Sequence, residues 1–246
     1  MRIPRIFSPQ QLTPGIEIQL DESASRHLVR VLRLGAGHPL VVFDGRGGEY
    51  NAEIVEAGKR ALVRLLDHCD EDRQSPLSLT LASGISRGER FDWVVQKATE
   101  LGIAHLQPLF TERCEVKLSG ERLAKKLAHW QQIAISACEQ SARNRVPTIA
   151  EPLKLTQYLP IAGTEGGLKL VLHHRTQSRL QQLAQEREPP ASVTLLVGPE
   201  GGLSAAEIDA ALAQSFLPLR LGPRVLRTET APIAALSVLQ YQWGDF

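Results

Sequence analysis

Two glycine-bearing segments hold the residue types best placed for chemistry. The first is LLVGPEGGLSAAEI, Leu195 to Ile208. An apolar run enters Gly198, Pro199, Glu200, Gly201 and Gly202, and a helix signal follows at once. The second is LRLGPRVLRTETAPIAAL, Leu219 to Leu236. A P-loop would need a lysine to meet phosphate charge, and a dinucleotide fingerprint would need G-x-G-x-x-G, which Pro199 and Glu200 interrupt. A glutamate here would also repel a pyrophosphate. The pattern suits a ligand without phosphates, met by backbone N–H and C=O groups at close range because glycines let the chain approach. In the second segment Gly222 and Pro223 repeat the turn, Leu219, Leu221, Val225 and Leu226 could sandwich an apolar ring, and Arg224 and Arg227 could hold anions. Two ordinary strand-to-helix turns are the plain alternative.

Other candidates are sparser. Leu172, His173 and His174 end a strand run and could line the same site. Glu139 and Arg143 are four residues apart in a helical pattern. They form either a surface ion pair worth a few tenths of a kcal/mol or an acid–base and anion-holding pair. In residues 1–33, Arg2, Arg5, Arg26, Arg30 and Arg33 outnumber Glu17, Asp21 and Glu22. Arg26, Arg30 and Arg33 fall at i, i+4, i+7, a stripe that could meet phosphates or be a solvated face. No His/Cys/Asp cluster has metal-ligand spacing. Cys69, Cys114 and Cys138 are odd in number and lack C-x-x-C, which reads as reduced thiols in a cytoplasmic protein. The amino terminus lacks the apolar core of a signal peptide, and no apolar run is long enough to span a bilayer. The formal net charge of +1 over 246 residues demands no polyanionic partner.

The elements that must position these residues fall into two halves. Residues 1–72 read as a small β-barrel or sheet, with LVVFDG, EYNAEIVEAG and ALVRLLD as strands and DESASRHLVRVLRLGAG as a short capped helix closed by Gly35. CDEDRQSP, Cys69 to Pro76, is the linker. Residues 76–246 alternate strands (Leu77–Ala82, His105–Phe110, Leu168–His173, Val193–Val197, Phe216–Leu221) with helices. Phe91, Val94, Val95, Ala98 and Leu101 keep helical spacing, as do Leu123, Leu127, Trp130, Ala134, Ala137 and Cys138. Ser204 and Glu207 make a capping box, and Thr230 is placed as N-cap of a last helix. Alternation of this kind implies a parallel sheet, with ligands at the carboxyl ends of its strands.

These motifs carry a resemblance. LLVGPEGGLSAAEI, LRLGPRVLRTETA and AALSVLQYQWGDF resemble the RsmE family of SPOUT methyltransferases. So do GERFDWVVQKATELGI, FTERCEVKL and KLAHWQQIAISACEQSARNRVP, and, in the first half, RIPRIF, HLVRVLRLGAG and FDGRGGEYNAEI. The likeness covers the chain in order. It implies an α/β trefoil-knot domain behind a PUA-like barrel, and methylation of N3 of a uridine in small-subunit ribosomal RNA with S-adenosylmethionine as cofactor. It implies that Leu172, His173, Gly198, Pro199, Glu200, Gly201, Leu221, Gly222, Arg224, Val225, Leu226 and Thr230 form the cofactor site. It also implies that the barrel arginines, Arg2, Arg5, Arg26, Arg30 and Arg33, bind RNA, that Glu139 and Arg143 serve the chemistry, and that the chain is a homodimer acting on RNA or the assembled subunit. A sulfonium cofactor without phosphate is consistent with glutamate and no lysine. Other readings are a non-catalytic RNA-binding or assembly factor of the same fold, and a methyltransferase of another RNA or a small substrate. Uridine N3 carries a proton, so the site needs a base or a cation that favours the imidate.

Overall fold

The computed structural model describes residues 3–246, so Arg2 lies outside the described residues. The chain forms two units, one of residues 1–74 and 135–146, the other of residues 75–134 and 147–246. The short stretch 135–146 groups with the first unit, although the sequence pattern places it in the second half.

The first unit is an antiparallel sheet with one parallel end strand. Its strands are β1 (Arg5–Phe7), β2 (Glu17–Gln19), β3 (Pro39–Phe43), β4 (Glu49–Glu56) and β5 (Leu62–Cys69), in the order β1-β3-β4-β5-β2. Alternation sets the register: Val42 opposes Tyr50, and Ile54 opposes Val63. Ile6, Leu40, Val42, Ile54, Val63 and Leu65 all point into one core. The helix α1 (Glu22–Arg26) starts on Asp21, whose Oδ1 accepts from the Ser23 and Ala24 N–H groups at 2.7 and 2.9 Å. It runs into a π-helical turn, His27–Val31, which drops Leu28 into the core. Arg33, at φ 56°, ends this segment two residues before Gly35, the expected stop.

The second unit begins at β6 (Ser78–Gly84). It continues through α2 (Arg90–Glu100), β7 (His105–Phe110), α3 (Gly120–Ser141, of which residues 135–141 belong to the first unit), β8 (Thr148–Ile149), β9 (Leu153–Lys154) and α4 (Leu155–Thr164). β10 (Leu168–Leu172), α5 (Leu180–Gln185), β11 (Ser192–Val197), α6 (Ala205–Ala213), β12 (Leu217–Leu219) and α7 (Thr230–Trp243) complete it. All sheet pairings are parallel, in the order β12-β10-β11-β6-β7-β8, with β9 also on β7. Ala82 and Leu196 join a core with Leu159 of α4 and Ile208 of α6. Their neighbours Leu81 and Leu195 point the other way and are also fully buried, so both faces of the sheet are covered.

Polar pins fix the helices. Asp92 of α2 accepts from the Trp130 indole (2.9 Å), Lys126 (2.7 Å) and His129 (2.9 Å) of α3. Gln240 of α7 is fully buried, accepting from the Ser75 hydroxyl and donating to the Leu101 carbonyl, each at 2.7 Å. Leu236 and Leu239 are fully buried too. The last helix therefore spends these side chains on its own unit, while Val238 and Tyr241 stay exposed. No described helix is long and apolar enough to cross a membrane.

Candidate active site

Three neighbouring parallel strands, β12, β10 and β11, end side by side, and a cavity of about 560 Å³ opens at their carboxyl ends. One wall is the loop after β11. There Gly202 N–H donates to the Pro199 carbonyl at 2.8 Å and closes a tight turn. Ser204 then caps α6: Glu207 N–H donates to its Oγ at 3.3 Å, and Ser204 N–H donates to the Glu207 carboxylate at 2.8 Å. A cap of this kind is worth about 1 kcal/mol and fixes where the loop ends. The other wall is the segment after β12, where Gly222 takes φ +127°. Arg220 Nε donates back to the Gly222 carbonyl at 2.9 Å and closes that turn. Thr228 Oγ1 donates to the Gly198 carbonyl at 3.4 Å, so the second segment returns onto the first loop.

Of the expected cofactor residues, Leu172, His173, Gly198, Pro199, Glu200, Gly201, Leu221, Gly222, Arg224, Val225 and Leu226 all line the cavity. Thr230 does not, and it caps nothing: it is the first residue of α7, and its own N–H donates to the Arg227 carbonyl at 3.0 Å. The reason for the glycines also differs. A Cβ at Gly198 would stand 2.7 Å from Leu203 N, and one at Gly201 would stand 2.9 Å from Arg113 Cβ. These glycines admit the protein's own atoms at close range.

The electrostatics are uneven. Burial pushes the Glu200 carboxyl up, but hydrogen bonds from the Arg87 and Glu200 N–H groups and from Arg90 outweigh it and hold it below the usual range. Arg87 N–H lies 2.8 Å and Arg90 Nη1 3.1 Å from the same Oε1. His173 is held below the usual imidazole range by burial, then by the charges of His174 and Arg175. It is therefore neutral at pH 7. Arg113, Arg175 and Asp209 also line the cavity. Arg113 falls within FTERCEVKL and follows the carboxyl end of β7; that strand-end rule was the signal available for it.

The two expected catalytic residues lie away from this cavity. The helix α3 stops at Ser141, Ala142 takes φ 65°, and Arg143 N–H donates to the Cys138 carbonyl at 3.1 Å. Arg143 is thus off the helix, and the four-residue spacing loses its meaning. It is buried in the first unit and donates to Gln74 Oε1 at 2.8 Å. Glu139 accepts from the Phe7 N–H at 3.0 Å. Neither lines the cavity. Both do structural work in the first unit. Of the barrel arginines, Arg5 is also structural: its Nη1 lies 2.6 Å from Glu49 Oε2, it bonds Asn144, and it sits over the Phe43 ring. Arg26, Arg30 and Arg33 are exposed. Among the described residues no metal-binding cluster occurs.

Residues 73–240 match the RNA methyltransferase domain family, and residues 20–66 match the RNA methyltransferase PUA domain. The ribosomal RNA small subunit methyltransferase E of Buchnera aphidicola (subsp. Schizaphis graminum) is 34% identical over 245 residues, covering 99% of this chain and 98% of that one. The chain belongs to the RsmE family. Solved structures agree. The RsmE of Neisseria gonorrhoeae, bound to S-adenosyl methionine, is 38% identical with a TM-score of 0.91 over 100% of both chains. A Legionella pneumophila protein described as a methyltransferase, in complex with SAM, is 42% identical with a TM-score of 0.94 over 100% of both. This RsmE-family chain is therefore an RNA methyltransferase with a SPOUT-type α/β domain and a PUA-like first domain.

Proposed function

We propose that this enzyme transfers a methyl group from S-adenosylmethionine to N3 of a uridine in small-subunit ribosomal RNA, and that the cavity between the two glycine turns holds the cofactor. The cavity itself is the observation that carries the reading. Its volume of about 560 Å³ suits a ligand of this size. Leu172, Leu221, Val225 and Leu226 offer an apolar slot for an adenine, and Gly198 and Gly222 bare backbone groups at its rim. Asp209 is a wall carboxylate available to an ammonium group, whereas Glu200 is engaged by Arg87 and Arg90. The cofactor supplies an electrophilic methyl on a sulfonium. The protein's part is to align the uridine with it, which is worth roughly 7–11 kcal/mol in well-oriented reactions, and to favour loss of the N3 proton.

Arg26, Arg30 and Arg33 are proposed to meet RNA phosphates, since all three are exposed. Arg2 is proposed for the same role on sequence grounds alone. A homodimer is proposed from the family likeness, with Val238 (39% exposed) and Tyr241 (76% exposed) as the apolar residues of α7 left for a partner. The cytoplasm is the proposed compartment, and the substrate is the small-subunit RNA, free or assembled.

The test is direct. Wild-type protein is incubated with methyl-labelled cofactor and either free small-subunit RNA or assembled subunits, and the RNA is mapped by mass. Label on uridine N3 supports the reading; label on a ribose or on a base carbon refutes it.

A further inference from the structure

Arg113 lies after β7, on a segment that belongs to neither glycine wall, and it lines the cavity. Its Nη1 donates to the Gly201 carbonyl at 2.9 Å. Its stem lies along the same residue: a Cβ at position 201 would stand 2.9 Å from Arg113 Cβ and 3.3 Å from its Cδ. Glycine at 201 is what lets stem and loop come this close, so the stem is packed and the guanidinium is tethered by one hydrogen bond. The tether is a neutral carbonyl. Arg87 pairs with Glu115 and Arg90 with Glu200, but among the described residues no carboxylate pairs with Arg113. The cavity rim beside Gly201 thus presents a tethered cation with no carboxylate at ion-pair distance among the described residues.

We propose that Arg113 is a catalytic residue that holds the target uracil as its imidate anion during methyl transfer. The proposal rests on the uridine-N3 reading above. In the step, the N3–H bond breaks and the proton passes to water. The N3 electron pair forms the new N–CH₃ bond while the methyl–sulfur bond breaks, and that bonding pair stays on sulfur as a neutral thioether. Before transfer the negative charge spreads over N3 and the two flanking carbonyl oxygens. A guanidinium is always charged and offers parallel N–H donors to such an edge. Fixed in advance, it needs little reorganisation when the charge develops. A carboxylate in its place would repel the anion, and Glu200 is already neutralised by its partners.

The test compares wild type with Arg113→Gln, which removes the charge, and Arg113→Lys, which keeps it. RNA carrying 5-fluorouridine at the target is bound to each protein with S-adenosylhomocysteine, and the imidate is read by ultraviolet absorbance across pH without turnover. Wild type is expected to shift imide ionisation to lower pH than in free RNA. Arg113→Lys should keep part of that shift and Arg113→Gln none. At saturating cofactor and RNA, the single-turnover rate of Arg113→Gln should fall by roughly 100-fold, as for loss of a preorganised donor, and recover partly at high pH. Calorimetry reports cofactor affinity separately, so a loss confined to the loop tether appears there. Equal loss of rate in both variants with an unshifted imide titration overturns the proposal, as does a wild-type titration in Arg113→Gln. If wild type itself places no methyl on uridine N3, the underlying reading has failed instead.

Discussion

Pro199 is seated on Gly84: a Cβ added at Gly84 would stand 2.5 Å from Pro199 Cδ and 2.6 Å from its nitrogen. The carboxyl end of β6 and the turn that walls the cavity are thus in backbone contact. Gly84→Ala must push the turn away from the strand. Overpacking of this sort costs about 1–3 kcal/mol. The expected outcome is a folded protein with a lower melting temperature and cofactor affinity at least ~10-fold weaker, as the displaced turn corresponds to ~1.4 kcal/mol or more. Calorimetric affinity equal to wild type would show that the turn can shift without consequence for the site.

Gly222 is limited by conformation rather than space. Nothing lies within 4 Å of a Cβ built there, but φ is +127°, a region that side-chain-bearing residues rarely adopt. Gly222→Val adds a β-branched residue, which resists that region most. The turn should rearrange and cofactor binding should be lost, with far-ultraviolet dichroism unchanged. Wild-type affinity in Gly222→Val would remove the second segment from the site.

Sequence made some of this legible and hid the rest for identifiable reasons. The capping box at Ser204 and Glu207 is a local device, so its position could be read directly, and with it the end of the first loop. The parallel sheet followed from alternation of strand and helix patterns. The purpose of the glycines was not legible, because Gly84, Gly198 and Gly201 answer to atoms distant in sequence or brought round by a turn. The break between Glu139 and Arg143 was hidden because Ala142 holds the left-handed position, where a glycine or asparagine would have announced a stop. In α7, the sequence shows Leu236 and Leu239 as apolar residues without revealing that both are buried within the unit. Arg113 stood inside a matched motif, but its role depends on the approach of Gly201, eighty-eight residues away.

Glu139 gives a pH test that separates structure from catalysis. Burial is the main influence and raises its carboxyl above the usual range; the Phe7 N–H opposes this, Asp21 adds to it and Arg5 weakly opposes it. The folded protein therefore binds this proton more tightly than the unfolded chain. As pH rises through the window between the ordinary carboxylate value and the raised one, ionisation costs stability; below the window there is no penalty, and above it the penalty is full. Glu139→Gln keeps an oxygen to accept from Phe7 and never ionises. Urea unfolding should show the variant close to wild type at pH 4 and relatively more stable at pH 7, with the methylation rate retained. A stability difference independent of pH, or a large loss of rate, contradicts the structural role.

The arginines of the first unit divide by environment, and mutation should divide them the same way. Arg26, Arg30 and Arg33 are exposed, so reversing all three to glutamate should leave the melting temperature within a few degrees of wild type. RNA affinity should fall most at low salt. If each meets one phosphate of single-stranded RNA, the slope of log affinity against log salt should flatten by about 2, since each such contact contributes about 0.7. Cofactor affinity should not move. Arg5 behaves differently, because its side chain is 8% exposed and its partner Glu49 is 11% exposed. Arg5→Ala leaves that carboxylate buried, and breaking a buried pair costs about 3–5 kcal/mol. Arg73, 3.2 Å from the same Glu49 oxygen, keeps part of the compensation and places the loss at the low end, about 3 kcal/mol. Thermal unfolding and filter binding on the two variants test the division. A stable Arg5→Ala with weakened RNA binding would put Arg5 on the RNA surface, and a triple reversal that binds RNA with the wild-type salt slope would make the stripe a solvated face.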